Sequence, residues 1–121
     1  MNVTKICDIN ELAQEFMHAP KVEKKGIDCN LMFDYESDTG EYKWTGITFI
    51  NAVSYKYTSY KYAQEYMVKA YNAVTEIAES DWIKEFGCTD KSKDLKHYLV
   101  YFDGYGAYEF VCTGFTKGIK G

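Results

Sequence analysis

Ser59-Tyr60-Lys61-Tyr62-Ala63-Gln64-Glu65-Tyr66-Met67-Val68-Lys69-Ala70-Tyr71-Asn72-Ala73-Val74-Thr75-Glu76-Ile77-Ala78 is the stretch on which the fold class turns. Within it Ala63, Met67, Ala70, Tyr71, Val74 and Ile77 recur at steps of four, three, one, three and three, the spacing of one helix face. Thr58 or Ser59 supplies a side-chain oxygen able to cap the first turn. The spacing alone predicts a helix over about 59–78.

The flanks read as strands. Upstream, Leu31, Phe33 and Tyr35 alternate with Met32, Asp34 and Glu36, and Ser37-Asp38-Thr39-Gly40 is turn chemistry. Residues 28–49 therefore predict a hairpin, with Tyr42, Trp44, Gly46 and Thr48 on the face of Phe33 and Tyr35 if its loop is even-numbered. Alternation resumes through Val53, Tyr55 and Tyr57, as a third strand after a bend near Asn51 or as one long bulged strand. Downstream, Ser80 to Phe86 reads as a capped helical turn. His97 to Phe102 and Ala107 to Phe115 then alternate around Asp103-Gly104-Tyr105-Gly106, which pairs Tyr101 with Tyr108, Leu99 with Phe110 and His97 with Cys112 on one face. At the start, Asp8 or Asn10 can cap a short helix carrying Ile9, Leu12, Phe16 and Met17, and Lys21 to Gly26 reads as a charged connector. The glycines at 114, 118 and 121 predict a loose tail.

Ser80-Asp81-Trp82-Ile83 and the closing hairpin, His97-Tyr98-Leu99-Val100-Tyr101-Phe102-Asp103 with Tyr108-Glu109-Phe110, resemble a loose family of small uncharacterised bacterial α+β proteins. Tyr55-Lys56-Tyr57-Thr58 shares that family's Tyr-x-x-Thr-like strand end, and the likeness covers about half the chain. It implies a strand ending at a pair such as Glu76-Ile77, against the helical spacing. Reconciling the two gives a helix over roughly 59–69 and an extended segment over 71–78. The expected fold is thus α+β in one domain, residues 1–121: an antiparallel sheet of four to five strands with one main helix and a short N-terminal helix packed on it. No activity comes with the resemblance.

Composition narrows the function. Twelve tyrosines stand in 121 residues without a single arginine, and net charge is −4. Lysine offers a hydrated point charge but not the bidentate fork that grips phosphate or a base edge, and an acidic chain gains nothing from counterion release on duplex DNA. The four cysteines, at 7, 29, 88 and 112, form no C-x-x-C pair. Lys5, Asp8, Glu11 and Glu15 interrupt any apolar leader, and no run is long enough to span a bilayer, which predicts a cytoplasmic chain with free thiols.

For chemistry, His97 facing Cys112 is the sharpest pair, because an imidazole can activate a thiol; its plainer explanation is a half-buried histidine beside a packed cysteine. His18 and His97 lie in different elements, and Asp34, Glu36, Asp38 and Glu41 miss the spacing of a calcium loop, so no metal and no cofactor are expected. Tyr55, Tyr57, Tyr60, Tyr62, Tyr66 and Tyr105 are the candidate binding residues, since six tyrosines between 55 and 71 exceed what one core face needs. The expected function is a non-catalytic protein-binding module, immunity- or inhibitor-like, for another protein whose basic charge would suit this acidic one. Neither duplex nucleic acid nor membrane is an expected partner, and homo-oligomerisation stays open. The alternative is a small-ligand domain or small enzyme with His97, Cys112 and Asp103 in a sheet-helix pocket.

Overall fold

In the computed structural model, which describes residues 2–9, 18–37, 39–86 and 94–118, antiparallel strands carry the architecture. They are β1 (Asn2–Asp8), β2 (Lys21–Lys25), β3 (Asp28–Glu36), β4 (Tyr42–Ile50), β5 (Ser54–Ser59), β6 (Ala73–Ala78), β7 (Lys96–Phe102), β8 (Gly106–Cys112) and β9 (Gly114–Lys117). The helical elements are short: a 3-10 turn at Tyr60–Tyr62 and two single turns, α1 (Glu65–Val68) and α2 (Asp81–Lys84). One sheet has the order β1-β6-β7-β8-β5 and the other β2-β3-β4-β9. This corrects the α+β expectation: two antiparallel sheets replace the single sheet with a main helix.

The decisive stretch explains the correction. Its second part is extended, as the reconciled reading has it, but the helix over 59–69 breaks into separate turns. Ala63, Met67 and Ala70 do pack inward, against Leu99, Tyr101 and Ala107, so spacing of three to four marks one buried side without requiring a continuous helix. Asn72, in the left-handed region at φ 51, then turns the chain into β6. There Val74 faces the core between the sheets while Ile77 faces the opposite core. A strand buried on both faces loses its polar alternation, and its apolar residues then mimic a helical pattern.

Other segments also pair where the sequence reads as loop. Lys21 to Lys25 is an edge strand on β3, not a connector, and residues 114–117 form β9 against β4 instead of a loose tail. Their charge and glycine content suit edges, where half the backbone meets water. The expected N-terminal helix falls largely on residues 10–17, outside the described residues; Asn2–Asp8 before it is a strand paired with β6. The bend near Asn51 is present, with φ 52 at that residue, and it sends β5 to the other sheet.

Both hairpins form where expected, yet each register differs by one residue. Glu36 pairs with Tyr42 and Phe102 with Gly106, so both loops hold an odd number of residues. A one-residue slip exchanges the two faces of a strand. Thus Phe33 shares its face with Thr45 and Ile47, not with Trp44. The core between the sheets gathers Leu31, Phe33, Ile47 and Phe49 from one side with Val100, Phe102, Phe110 and Cys112 from the other. Phe49 and Phe110 stack with ring centroids 4.0 Å apart and an interplanar angle of 9°, a pair worth about 0.5–1.5 kcal/mol beyond its buried area.

Candidate functional site

The observed register sets His97, Leu99, Ala107 and Glu109 on the outer face of the five-stranded sheet, beneath α1 and α2. Cys112 lies on the other face, inside the core between the sheets. His97 and Cys112 are therefore not brought together. Burial pushes the Cys112 thiol up to about 12, and its Sγ donates to the Gly114 carbonyl at 3.3 Å, so it is no nucleophile near neutral pH.

What His97 meets instead is a buried polar chain. Its Nε2 lies 2.8 Å from Glu109 Oε1, and its Nδ1 lies 2.7 Å from Ser80 Oγ. His97 is 3% exposed, Glu109 0% and Ser80 6%. Ser80 Oγ also accepts from the Ile83 backbone N–H at 3.3 Å, capping α2. Because a carboxylate oxygen only accepts, Nε2–H donates to Glu109, and Nδ1 of the neutral ring then accepts from the serine hydroxyl, whose oxygen still has a lone pair for the Ile83 N–H. Tyr66 OH donates to the same Glu109 oxygen at 3.2 Å, while Lys56 Nζ stands 3.9 Å from Oε2, which makes no hydrogen bond among the described residues. The Trp82 ring meets His97 edge-on with centroids 5.1 Å apart, and Lys56 Nζ lies 4.5 Å from the Trp82 centroid.

Serine, histidine and carboxylate are the components of a hydrolytic triad, but here they are wired differently. In a triad the serine bonds Nε2 and the acid orients Nδ1; this imidazole has the two exchanged. The serine hydroxyl is also committed to its helix cap. The arrangement works as a clamp: Glu109, the one carboxylate in the middle of apolar β8, is balanced by Lys56, and the chain from Glu109 through His97 to Ser80 ties α2 to the sheet. Glu109 flanked by Tyr108 and Phe110 was the available sequence signal for this cluster; Ser80, Lys56 and Trp82 join it only through tertiary pairing.

The tyrosines divide into two groups. Tyr55, Tyr57, Tyr60 and Tyr62 are exposed along β5 and the turn after it, Tyr62 most of all at 78%. Tyr71, outside the expected set, is exposed as well. Tyr66 is instead drawn in as a donor to Glu109, and Tyr105 packs partly against the core between the sheets, its carbonyl accepting from Tyr57 OH. The exposed rings have backing: Tyr55 stacks on Phe110 at 6.0 Å, and Tyr57 tilts over Tyr108 at 4.9 Å.

Comparison with known protein families, curated proteins and solved structures gives no match. The functional reading therefore rests on geometry.

Of the acidic residues near the first hairpin, Asp34 is buried and accepts from the backbone N of His18 at 2.9 Å, with His18 Nδ1 also at 2.9 Å. Asp38 lies outside the described residues. Among the described residues no three His, Cys, Asp or Glu side chains converge as metal ligands, and no helix is long and apolar enough to cross a membrane.

The buried hydroxyls and thiol set an alkaline limit on stability. Tyr66 and Tyr98 are pushed up to about 12, chiefly by burial, and for Tyr66 next by the Glu109 charge. Tyr108 moves up for the same first reason, and Cys112 joins them. These groups lose protons near their ordinary values of 10 and 9 in the unfolded chain but retain them longer when folded. Their contribution to stability is thus complete below about pH 9 and declines as pH climbs toward about 12. Urea unfolding should show a falling free energy between about pH 9 and pH 12, with late-titrating tyrosines in 295 nm absorbance; a flat profile contradicts this account.

Proposed function

We propose that this protein is a non-catalytic protein-binding module, immunity- or inhibitor-like, that engages its partner through exposed tyrosines. One observation carries the reading: Tyr55, Tyr57, Tyr60 and Tyr62 are all exposed on one continuous segment whose first part, β5, is hydrogen-bonded along its length to β8. Rings already stacked on Phe110 and Tyr108 lose little rotamer freedom on binding, which is why tyrosine serves so well as an interface anchor. The overall charge of −4 speeds encounter with a basic partner. Cys7, Cys29 and Cys112 are free thiols, which suits work in the cytoplasm. A His97–Cys112 pocket has no geometric support, because the two side chains face opposite sides of the sheet.

Tyr62 provides the clean test, since so exposed a ring contributes little to folding. A photo-crosslinking residue at position 62 should capture a protein partner in the source cell, whereas one at Lys43, exposed on the other sheet, should not. Tyr62→Ser should weaken binding of that partner by about tenfold, the cost of a lost aromatic anchor, without altering the unfolding transition. Equal capture from positions 62 and 43, or undiminished affinity of the serine variant, counts against the proposal.

A further inference from the structure

Among the described residues four strands lie at sheet edges: β1 and β5 in one sheet, β2 and β9 in the other. Exposed edges invite pairing with another chain, and proteins usually blunt them by charge, bulges or shortness. Three of these edges are blunted. β1 has a register irregularity between Lys5 and Cys7, β2 carries Lys21, Lys24 and Lys25 among its five residues, and β9 has four residues. β5 differs. It pairs with β8 without interruption from Ser54↔Val111 to Ser59↔Gly106. Its single charge, Lys56, is engaged by Glu109 and the Trp82 ring.

The side chains beside that edge are ordered for recognition. Val53, Tyr55 and Tyr57 occupy alternate positions and are all exposed, the repeat with which an added strand would place its own side chains. Val53 also lines a cleft of about 630 Å³ with Ile27, Leu95, Asn51, Lys24 and Asp94, so the stripe runs into a recess at one end. Local charge differs from that of the whole chain: residues 52–64 contain no carboxylate, and with Lys56 held by Glu109 the exposed cation there is Lys61, while Lys24 and Asp94 both line the cleft.

We infer that β5 is a strand-addition site for an extended segment of another protein, one with apolar side chains at every second position and carboxylates between them. The inference rests on the protein-binding reading and names its mode. A second copy of this chain fits less well, since each copy carries −4 and its β5, Ser54–Ser59, has no carboxylate to set opposite a cation.

The probe is the acetylated, amidated peptide Glu-Val-Glu-Tyr-Glu-Val-Glu, titrated into the full-length ¹⁵N-labelled protein. Binding should shift the amides of residues 54–59 and slow their hydrogen exchange. The counterpart with lysine at every glutamate should bind roughly three- to tenfold more weakly, as one or two screened charge pairs allow, and Lys24→Glu with Lys61→Glu should reverse that order. Backbone N-methylation at alternate peptide residues should abolish the effect. Undiminished binding of the methylated peptide would sink strand addition while sparing the tyrosine interface. Absence of any response at 54–59 overturns the inference, and slowed exchange that grows with protein concentration alone assigns the edge to self-pairing.

Discussion

Replacing His97 by leucine lowers the unfolding free energy by about 3–5 kcal/mol, the cost of removing one member of a buried, charge-bearing hydrogen-bonded pair. The reason lies with the groups left behind more than with the ring removed. Glu109, 0% exposed, would lose its closest donor, at 2.8 Å, and retain Tyr66 and the more distant Lys56. Ser80 would keep a hydroxyl proton without its acceptor at 2.7 Å, loosening the cap of α2. A second change, Glu109→Leu, removes the stranded charge, so the double variant should unfold closer to the parent than His97→Leu alone does. Urea denaturation of the two single variants and the double closes the cycle. A loss below about 1 kcal/mol for His97→Leu, or costs that simply add, would show that the carboxylate does not depend on this imidazole.

Gly106→Ala is the second change of large effect. An alanine Cβ there would sit 2.1 Å from the Thr58 carbonyl oxygen and 2.9 Å from the Tyr60 nitrogen, at a φ of +137°. Both obstacles are backbone, so no side chain can swing aside; β5 and the turn after it must move off β8. The expected cost is about 2–4 kcal/mol from backbone strain and displaced packing. Hydrogen exchange should accelerate most at 54–59, and peptide binding at that edge should weaken in parallel. Gly104→Ala is the control: it has positive φ but open space around the added methyl, and should cost about 1 kcal/mol. Equal exchange rates in the two variants would argue that the close approach at Gly106 is not what holds β5.

The candidate site was legible in part. Alternation located β3, β4, β5, β7 and β8, and the surplus of tyrosine over core demand pointed to the segment where Tyr55, Tyr57, Tyr60 and Tyr62 are exposed. The same pattern could not separate them from Tyr66, whose hydroxyl turns to Glu109, because that depends on a carboxylate more than forty residues away, |i−j| = 43. Nor could it choose between the two partners for His97. The choice depended on whether Asp103 to Gly106 contributes three loop residues or four, and Gly104 at φ 78 followed by the close-packed Gly106 makes it three.

Local chemistry therefore determined where this chain extends, where it turns, and that it carries more aromatic surface than one core consumes. Only tertiary pairing decided which face each strand turns inward. Side chains on a strand alternate with period two, so one residue of loop length exchanged Cys112 for Glu109 beside His97 and put a clamp where a thiol site was expected. The same holds for β6: burial on both sides comes from neighbours distant in sequence, and no window of its own residues could reveal it.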